Sequence, residues 1–209
     1  MPSYKFYYFG ARGLGEISRQ LLHMGDQEYE DVRYTFESWP SHKDETPFGQ
    51  LPVLEVDGKK IPQSFAIARF LARQFGYAGK NDFDAALVDA LADQFKDYFA
   101  EIRGYYVAAL EIFPGDKVRR ARTEATRPQG EAARLKLYPL LEKRLAESKS
   151  GFLVGDSLTW IDLFLADHVD ILRNNIPGFL NEYPKVLAHS TKIRSEPKLK
   201  EWLDKRPAN

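Results

Sequence analysis

The sequence predicts a small mixed α/β domain followed by an all-helical one. Three observations carry this. In the first 76 residues, short aromatic or β-branched runs alternate with amphipathic stretches. A linker bearing two glycines follows at 76–82. Beyond it, every periodic segment repeats apolar residues at spacings of three and four. The boundaries fall at 1–78 for the α/β domain and 83–209 for the helical domain.

Tyr4–Phe9 is aromatic-rich and reads as a strand. Three glycines, Gly10, Gly13 and Gly15, then turn the chain into a helix striped by Ile17, Leu21 and Leu22. Tyr29–Tyr34 alternates as a second strand, and residues 35–50, with Trp39, Pro40 and Pro47, read as irregular. Pro52 opens a third strand, Val53–Val56, where a residue without an N–H is tolerated only at a strand's start or edge. Asp57-Gly58 signals a hairpin, with Lys60–Pro62 as the return strand. A helix with Ile67, Phe70, Leu71 and Phe75 on one face follows, with Ser64 as its N-cap. The order β-α-β then β-β-α makes a mixed sheet with helices packed on it.

In the second domain, Leu87, Val88, Leu91, Phe95, Tyr98, Phe99 and Ile102 mark one long helix, broken by Pro114-Gly115. Leu135, Tyr138, Leu141 and Leu145 mark another, with Pro139 as a kink point. Thr159 and Asp162 form a variant capping box at the head of a third. Two short helices around 186–193 and 199–203 close the chain.

The 209 residues include 30 basic and 30 acidic side chains. That balance gives no support for nucleic-acid or broad membrane-surface binding. No cysteine is present, which excludes a disulfide scaffold, a thiolate zinc site and a dithiol redox couple. The N-terminus shows no signal-peptide pattern, and no run approaches the roughly 18 apolar residues of a membrane span. A cytoplasmic protein is the expectation. His23, His42, His168 and His189 lack zinc-ligand spacing, and no resident metal is expected. The three early glycines do not form the dinucleotide fingerprint, and no phosphate-loop lysine follows. They read as backbone relief for a turn above Tyr8.

Residues 47–65 are the most informative stretch. Gln63-Ser64 sits beside the unpaired N–H groups of a helix start, a ready place for a carboxylate. The segment before Pro52 can offer free backbone groups to an extended peptide. Together these describe a socket for a small acidic peptide.

A β-α-β-β-β-α order with a proline opening its third strand looks like the thioredoxin fold, here with an all-α helical-bundle domain following it. Tyr8 at the end of strand one, Pro-Phe-Gly-Gln-Leu-Pro at 47–52, Gln63-Ser64 and the capping box at 159–162 resemble the cytosolic glutathione transferases. The particular wording is similar to the sigma class, which includes nematode enzymes and haematopoietic prostaglandin D synthase. It lies in Tyr-Phe-x-x-Arg-Gly at 8–13, Trp39-Pro40, Lys43, Leu-Glu-Val-Asp-Gly at 54–58 and Gln-Ser-x-Ala-Ile-Ala-Arg at 63–69. The resemblance implies glutathione conjugation to small hydrophobic electrophiles, as in detoxification, with glutathione as cosubstrate. Tyr8 would donate its hydroxyl to the glutathione sulfur. Trp39 and Lys43 would hold the glycine end. Gln50 and the Leu51 backbone, before a cis Pro52, would bind the cysteinyl portion. Gln63 and Ser64 would take the γ-glutamyl carboxylate, and Asp97 of a partner subunit the α-amino group, which implies a homodimer.

The second substrate would meet the loop at 10–15 and the helix carrying Phe99. Phe9, Leu14, Phe99, Gly104 and Tyr105 suit an apolar pocket there. Two alternatives accompany this reading: a carrier of haem or lipid-like ligands, and a glutathione-dependent prostaglandin D synthase. Leu14 stands where the synthase carries arginine, and Gly104 falls near its pocket tryptophan. Both departures weigh against that product-specific activity. Asp89, Asp93 and Asp97 share one helix face at intervals of four, which reads as a solvated or subunit-facing acidic stripe in preference to the alternative, a site for hydrated Mg²⁺.

Overall fold

The computed structural model describes residues 2–110 and 118–207. The expected break at Pro114-Gly115 lies outside them. The chain divides into two compact units. Residues up to 78 form the first together with the segment from 194 onward, and residues 79–193 form the second. The last segment thus returns to the first unit, across the boundary at 78–83.

The first unit is built on a four-stranded sheet of β1 (Tyr4–Phe9), β2 (Glu30–Tyr34), β3 (Val53–Val56) and β4 (Lys59–Pro62), ordered β2-β1-β3-β4. β1 and β2 run parallel, and the other neighbours are antiparallel. The β3–β4 hairpin turns at Asp57-Gly58, where both residues take positive φ, 49° and 78°. These are the backbone angles that match a hairpin's twist. Along β1 the side chains alternate. Tyr4, Phe6 and Tyr8 are buried, while Lys5, Tyr7 and Phe9 are half-buried on the opposite face. The buried face meets α1 (Glu16–Met24) and α2 (Ser64–Phe75) through Ile17, Leu21, Leu22, Phe65, Ile67 and Leu71.

Residues expected to be irregular include a 3-10 helix, Trp39–Glu45. The final helix α7 (Pro197–Lys205) is fastened to α1. Glu16 accepts hydrogen bonds from the Trp202 indole at 2.8 Å and from Arg206 at 2.6 Å, and Lys198 pairs with Asp26. The Glu16 carboxylate is buried, so its two donors offset a desolvation cost of several kcal/mol.

The second unit holds α3 (Asp82–Ala109), α4 (Arg119–Glu147), α5 (Trp160–Asn175) and α6 (Pro184–Arg194). Asn81 caps α3 by accepting the Asp84 N–H at 2.9 Å. Pro128 and Pro139 both lie inside α4 without ending it. α5 is buried along most of its length and is the unit's centre. Its capping box forms, and Asp162 does more than cap. Its carboxylate accepts from the Thr159 N–H (2.9 Å) and hydroxyl (2.7 Å) and from the Leu153 N–H (2.8 Å), and it pairs with His189 Nε2 (2.8 Å). One side chain therefore joins α5, α6 and the preceding loop. Nearby, His168 is fully enclosed by Phe95, Tyr98, Phe99 and Tyr106, with Nε2 3.2 Å from the Tyr98 hydroxyl. Burial pulls its pKa down to about 3. Among the described residues no helix is long and apolar enough to cross a membrane.

Candidate functional site

Sheet register gathers the main candidates. Tyr7 of β1 pairs with Val53 of β3, and Val53 pairs with Pro62 of β4. One step outward on each strand stand Tyr8, Pro52 and Gln63, in a row at the same end of the sheet. The Leu51–Pro52 bond is cis. Gln63 adopts a left-handed backbone, φ 76°, at the start of α2, an unfavourable conformation for a residue with a Cβ and one that clusters at functional sites. Its side-chain amide donates to Gln50 Oε1 at 3.4 Å, tying the segment before Pro52 to the head of α2.

The head of α2 differs from the expected one. Gln63, not Ser64, is the N-cap: its carbonyl accepts the Ile67 N–H at 3.0 Å, and Ser64 is already the first helical residue. The positive φ of Gln63 turns the chain so abruptly that the helix begins one residue early. No side chain caps this end. Its N–H groups are oriented to receive an anion, and the helix dipole favours one.

Tyr8 is buried at the end of β1 with its hydroxyl under the following loop. The Leu14 N–H donates to the phenolic oxygen at 3.1 Å. With that lone pair occupied, the phenol's own proton is directed elsewhere. Burial raises the Tyr8 pKa, and the Leu14 N–H, the Arg19 charge and the Gly15 N–H pull it part of the way back. The net rise keeps the group a phenol at neutral pH, a hydrogen-bond donor and not a base.

Two glycines make this geometry possible. A Cβ at Gly15 would lie 2.2 Å from Tyr8 Cδ1, and one at Gly13, where φ is +41°, would lie 2.8 Å from the Tyr8 oxygen. The loop crosses the ring closer than any side chain would allow. Among the described residues beyond its chain neighbours, none places a heavy atom within 4 Å of a Cβ built on Gly10.

Trp39 opens the 3-10 helix, its ring 6.1 Å from that of Phe9 and 5.6 Å from that of Tyr34. Phe9 in turn lies 5.5 Å from Tyr8. Lys43, one turn further along the same 3-10 helix, is exposed. Of the apolar candidates, Phe9 is half-buried and Leu14 is 39% exposed, both in the first unit.

The other candidates belong to α3 of the second unit. Asp97 is exposed. Phe99 packs on His168 (4.9 Å) and Phe164 (5.7 Å). Gly104 is exposed, and a Cβ there would meet Thr126 at 3.6 Å. Tyr105 is 4% exposed and lies against Phe179, with ring centroids 5.7 Å apart. Its ring packs inside its own helical unit. Among the described residues, no group of three or more His, Asp or Glu side chains is placed to hold a metal ion.

Sequence reasoning missed Arg19 and Glu16, two buried charges on α1. The apolar stripe of Ile17, Leu21 and Leu22 gave no signal of them, since it accounts for only part of what the helix buries. From Glu16 to Leu22 every residue is buried, polar ones included.

The sequence matches the Glutathione S-transferase, N-terminal domain family over residues 4–73 and the Glutathione S-transferase, C-terminal domain family over 117–206. It is 48% identical to probable glutathione S-transferase 5 of Caenorhabditis elegans, across 99% of this chain and 98% of that protein. The fold is similar to a Nu-class transferase from Haemonchus contortus, with a TM-score of 0.86, 48% identity and 100% and 99% coverage. It is also similar to Na-GST-3 of the hookworm Necator americanus, described as monomeric, with a TM-score of 0.89, 47% identity and 99% and 98% coverage. Sequence and fold agree over essentially the whole length, and the chain belongs to the glutathione S-transferase family.

Proposed function

We infer that the chain carries out the family's transferase reaction with glutathione as its cosubstrate. We propose that Tyr8 is the group that activates the glutathione sulfur, and that the chain is a sigma-type cytoplasmic enzyme conjugating glutathione to small apolar electrophiles in detoxification. The observation that supports this most is the Leu14 N–H on the Tyr8 oxygen at 3.1 Å, which leaves a neutral phenol with its proton free to donate. A free thiol has a pKa of about 8.5, so most of it is the weaker nucleophile at neutral pH. A hydrogen bond from the phenol favours the anion over the thiol and lowers that pKa. The sulfur then attacks the electrophile's carbon, forming the C–S bond as the leaving group departs or the acceptor double bond takes up the electron pair. The thiol proton goes to solvent.

The remaining side chains bind and orient the tripeptide. The open head of α2, at Gln63 and Ser64, takes the γ-glutamyl carboxylate. Gln50 and the Leu51 backbone beside cis Pro52 hold the cysteinyl portion. Trp39 and Lys43 hold the glycine end, Lys43 by charge. Asp97 of a second copy meets the α-amino group, so the working form is a homodimer. Phe9 and Leu14 are the apolar candidates beside Tyr8 in the first unit, Leu14 the more exposed, and Phe99, Gly104 and Tyr105 on α3 are those of the helical unit, where the Tyr105 ring is buried. The test is the initial rate of glutathione conjugation to an aryl halide, comparing wild type with Tyr8→Phe. A loss of about 10²-fold, roughly 2.7 kcal/mol, is expected for removing one preorganised donor. An unchanged rate would overturn the assignment.

A further inference from the structure

Beneath the Tyr8 ring lies a buried cation that none of the roles above uses. Arg19 is 2% exposed, in the middle of α1. Its guanidinium carbon sits 5.7 Å from the centroid of the Tyr8 ring and 5.4 Å from that of Phe6. Nε donates to both oxygens of Asp31 at 3.2 Å, and Nη2 donates to Asp31 at 3.1 Å. The remaining donors reach two backbone carbonyls, Phe9 at 2.9 Å from Nη2 and Ala11 at 2.9 Å from Nη1.

Those carbonyls flank Gly10, where β1 ends and the loop begins. That loop delivers the Leu14 N–H to the Tyr8 oxygen three residues later. A lysine could neutralise Asp31, but it lacks the planar fork that reaches a carboxylate and two carbonyls together. A structural ion pair alone would need only Asp31. The two carbonyl bonds and the position under the phenol ring are additional to it.

We propose that Arg19 is a positioning residue for the Tyr8 hydroxyl, fixing the loop that places the Leu14 N–H and setting a positive charge beneath the phenol ring. This rests on Tyr8 being the group that activates the sulfur. A positive charge near the phenol favours its anionic character and so makes it a stronger donor to a thiolate. The Arg19 charge lowers the Tyr8 pKa, in line with this geometry.

Other charged groups surround the cluster. Asp31 is shared with Arg33 at 2.7 Å, so Arg19 holds only part of that carboxylate. Tyr29 also senses Asp31, Arg19, Glu16 and Arg33, and burial raises its pKa far enough to keep it neutral. Glu16 is engaged by Trp202 and Arg206. Among the described residues, the Arg19 charge acts on Tyr8 together with the Leu14 and Gly15 N–H groups.

The proposal makes two variants move in opposite directions. Removing the cation in Arg19→Gln weakens Tyr8 as a donor. Removing the carboxylate in Asp31→Asn leaves the cation less compensated and strengthens it. The measurement is spectrophotometric titration of the glutathione thiol bound to each protein, alongside the pH profile of kcat/KM with an aryl halide. Arg19→Gln is expected to raise the bound-thiol pKa by at least about half a unit, and Asp31→Asn to lower it, both with the KM for glutathione little changed. In a Tyr8→Phe background, neither change is expected to move it further.

Both variants are expected to lower the melting temperature, because each breaks a part-buried pair. A merely structural role therefore predicts shared destabilisation with no opposed pKa shifts. If Arg19→Gln does not fold, Asp31→Asn still carries the test, since an unchanged or raised bound-thiol pKa there overturns the proposal. If Tyr8→Phe itself leaves the bound-thiol pKa unmoved, the assignment of Tyr8 falls. A Tyr8→Phe shift with no opposed shifts in the other two overturns Arg19 alone.

Discussion

The Leu14 N–H donates to the Tyr8 hydroxyl at 3.1 Å, joining the residue after one glycine, Gly13, to the last buried side chain of β1. With Tyr8 as the group proposed to activate the sulfur, this contact would make the loop a part of the chemistry and not a connector. It exists because Gly13 and Gly15 let the backbone lie on the phenol ring, which leads to a prediction about glycine.

Gly15→Ala would place a Cβ 2.2 Å from Tyr8 Cδ1 and 2.6 Å from Cγ, so the ring or the loop must move. Overpacking of this kind costs about 1–3 kcal/mol of stability. Misplacement of a catalytic group by about 1 Å costs roughly 10²-fold in rate. We expect kcat to fall by about that factor in a folded protein. Gly10→Ala, with open space around its Cβ, is the control and keeps wild-type kinetics. Steady-state kinetics with thermal melts of both variants check this.

Asp162→Ala removes a buried carboxylate that serves Thr159, Leu153 and His189 together. Breaking a buried pair by deleting one partner costs about 3–5 kcal/mol. The variant should be destabilised by that amount in denaturant titrations at pH 7. Glutathione affinity per folded molecule should be kept, because the residues assigned to glutathione within this chain, other than Asp97, lie in the first unit.

His168 predicts a pH dependence of stability. Its pKa in the folded protein is about 3, set by burial, against an ordinary value near 6.5. A folded state that refuses a proton gives its full stability above pH ~6.5, and loses it as pH falls toward 3, because the unfolded chain takes up the proton first. The slope from this one group approaches about 1.4 kcal/mol per pH unit. Denaturant midpoints for wild type should therefore fall more steeply between pH 7 and 4.5 than those of His168→Asn. Parallel slopes would contradict the assignment.

Asp97→Ala tests the second-copy contribution. Loss of one charged hydrogen bond, about 1.5–3 kcal/mol, should raise the KM for glutathione by roughly tenfold or more with little change in kcat. Sedimentation of the wild type at assay concentration should give the mass of a dimer. A fully active monomer would remove Asp97 from the site.

Much of the fold was legible because it is written in local pattern. β1 was read to its residue bounds from aromatic spacing, the hairpin from Asp57-Gly58, and α3 from a stripe spanning Leu87 to Ile102. The placing of Pro52 at a strand opening and of Gln63-Ser64 at a helix start was legible because those residues have backbone consequences where they stand, whereas the role expected of Tyr8 came from the family resemblance. What escaped depends on contacts distant in sequence. Arg19 looks like any helix charge until Asp31 and two loop carbonyls close around it. The return of α7 to α1 rests on Glu16 meeting Trp202 and Arg206 some 190 residues away. The N-cap moved from Ser64 to Gln63 because a left-handed glutamine is rare enough that local preference argues against it.

The central claim is that the Tyr8 phenol makes bound glutathione a thiolate. The direct measurement is the ultraviolet absorbance of the thiolate in the binary complex, titrated with pH for wild type and Tyr8→Phe. The account predicts a bound-thiol pKa at least about one unit below the free value of roughly 8.5 in wild type, and a return toward that value in Tyr8→Phe with glutathione still bound. An equally depressed pKa in the phenylalanine variant would contradict it and transfer the activation to the backbone and charges around the sulfur.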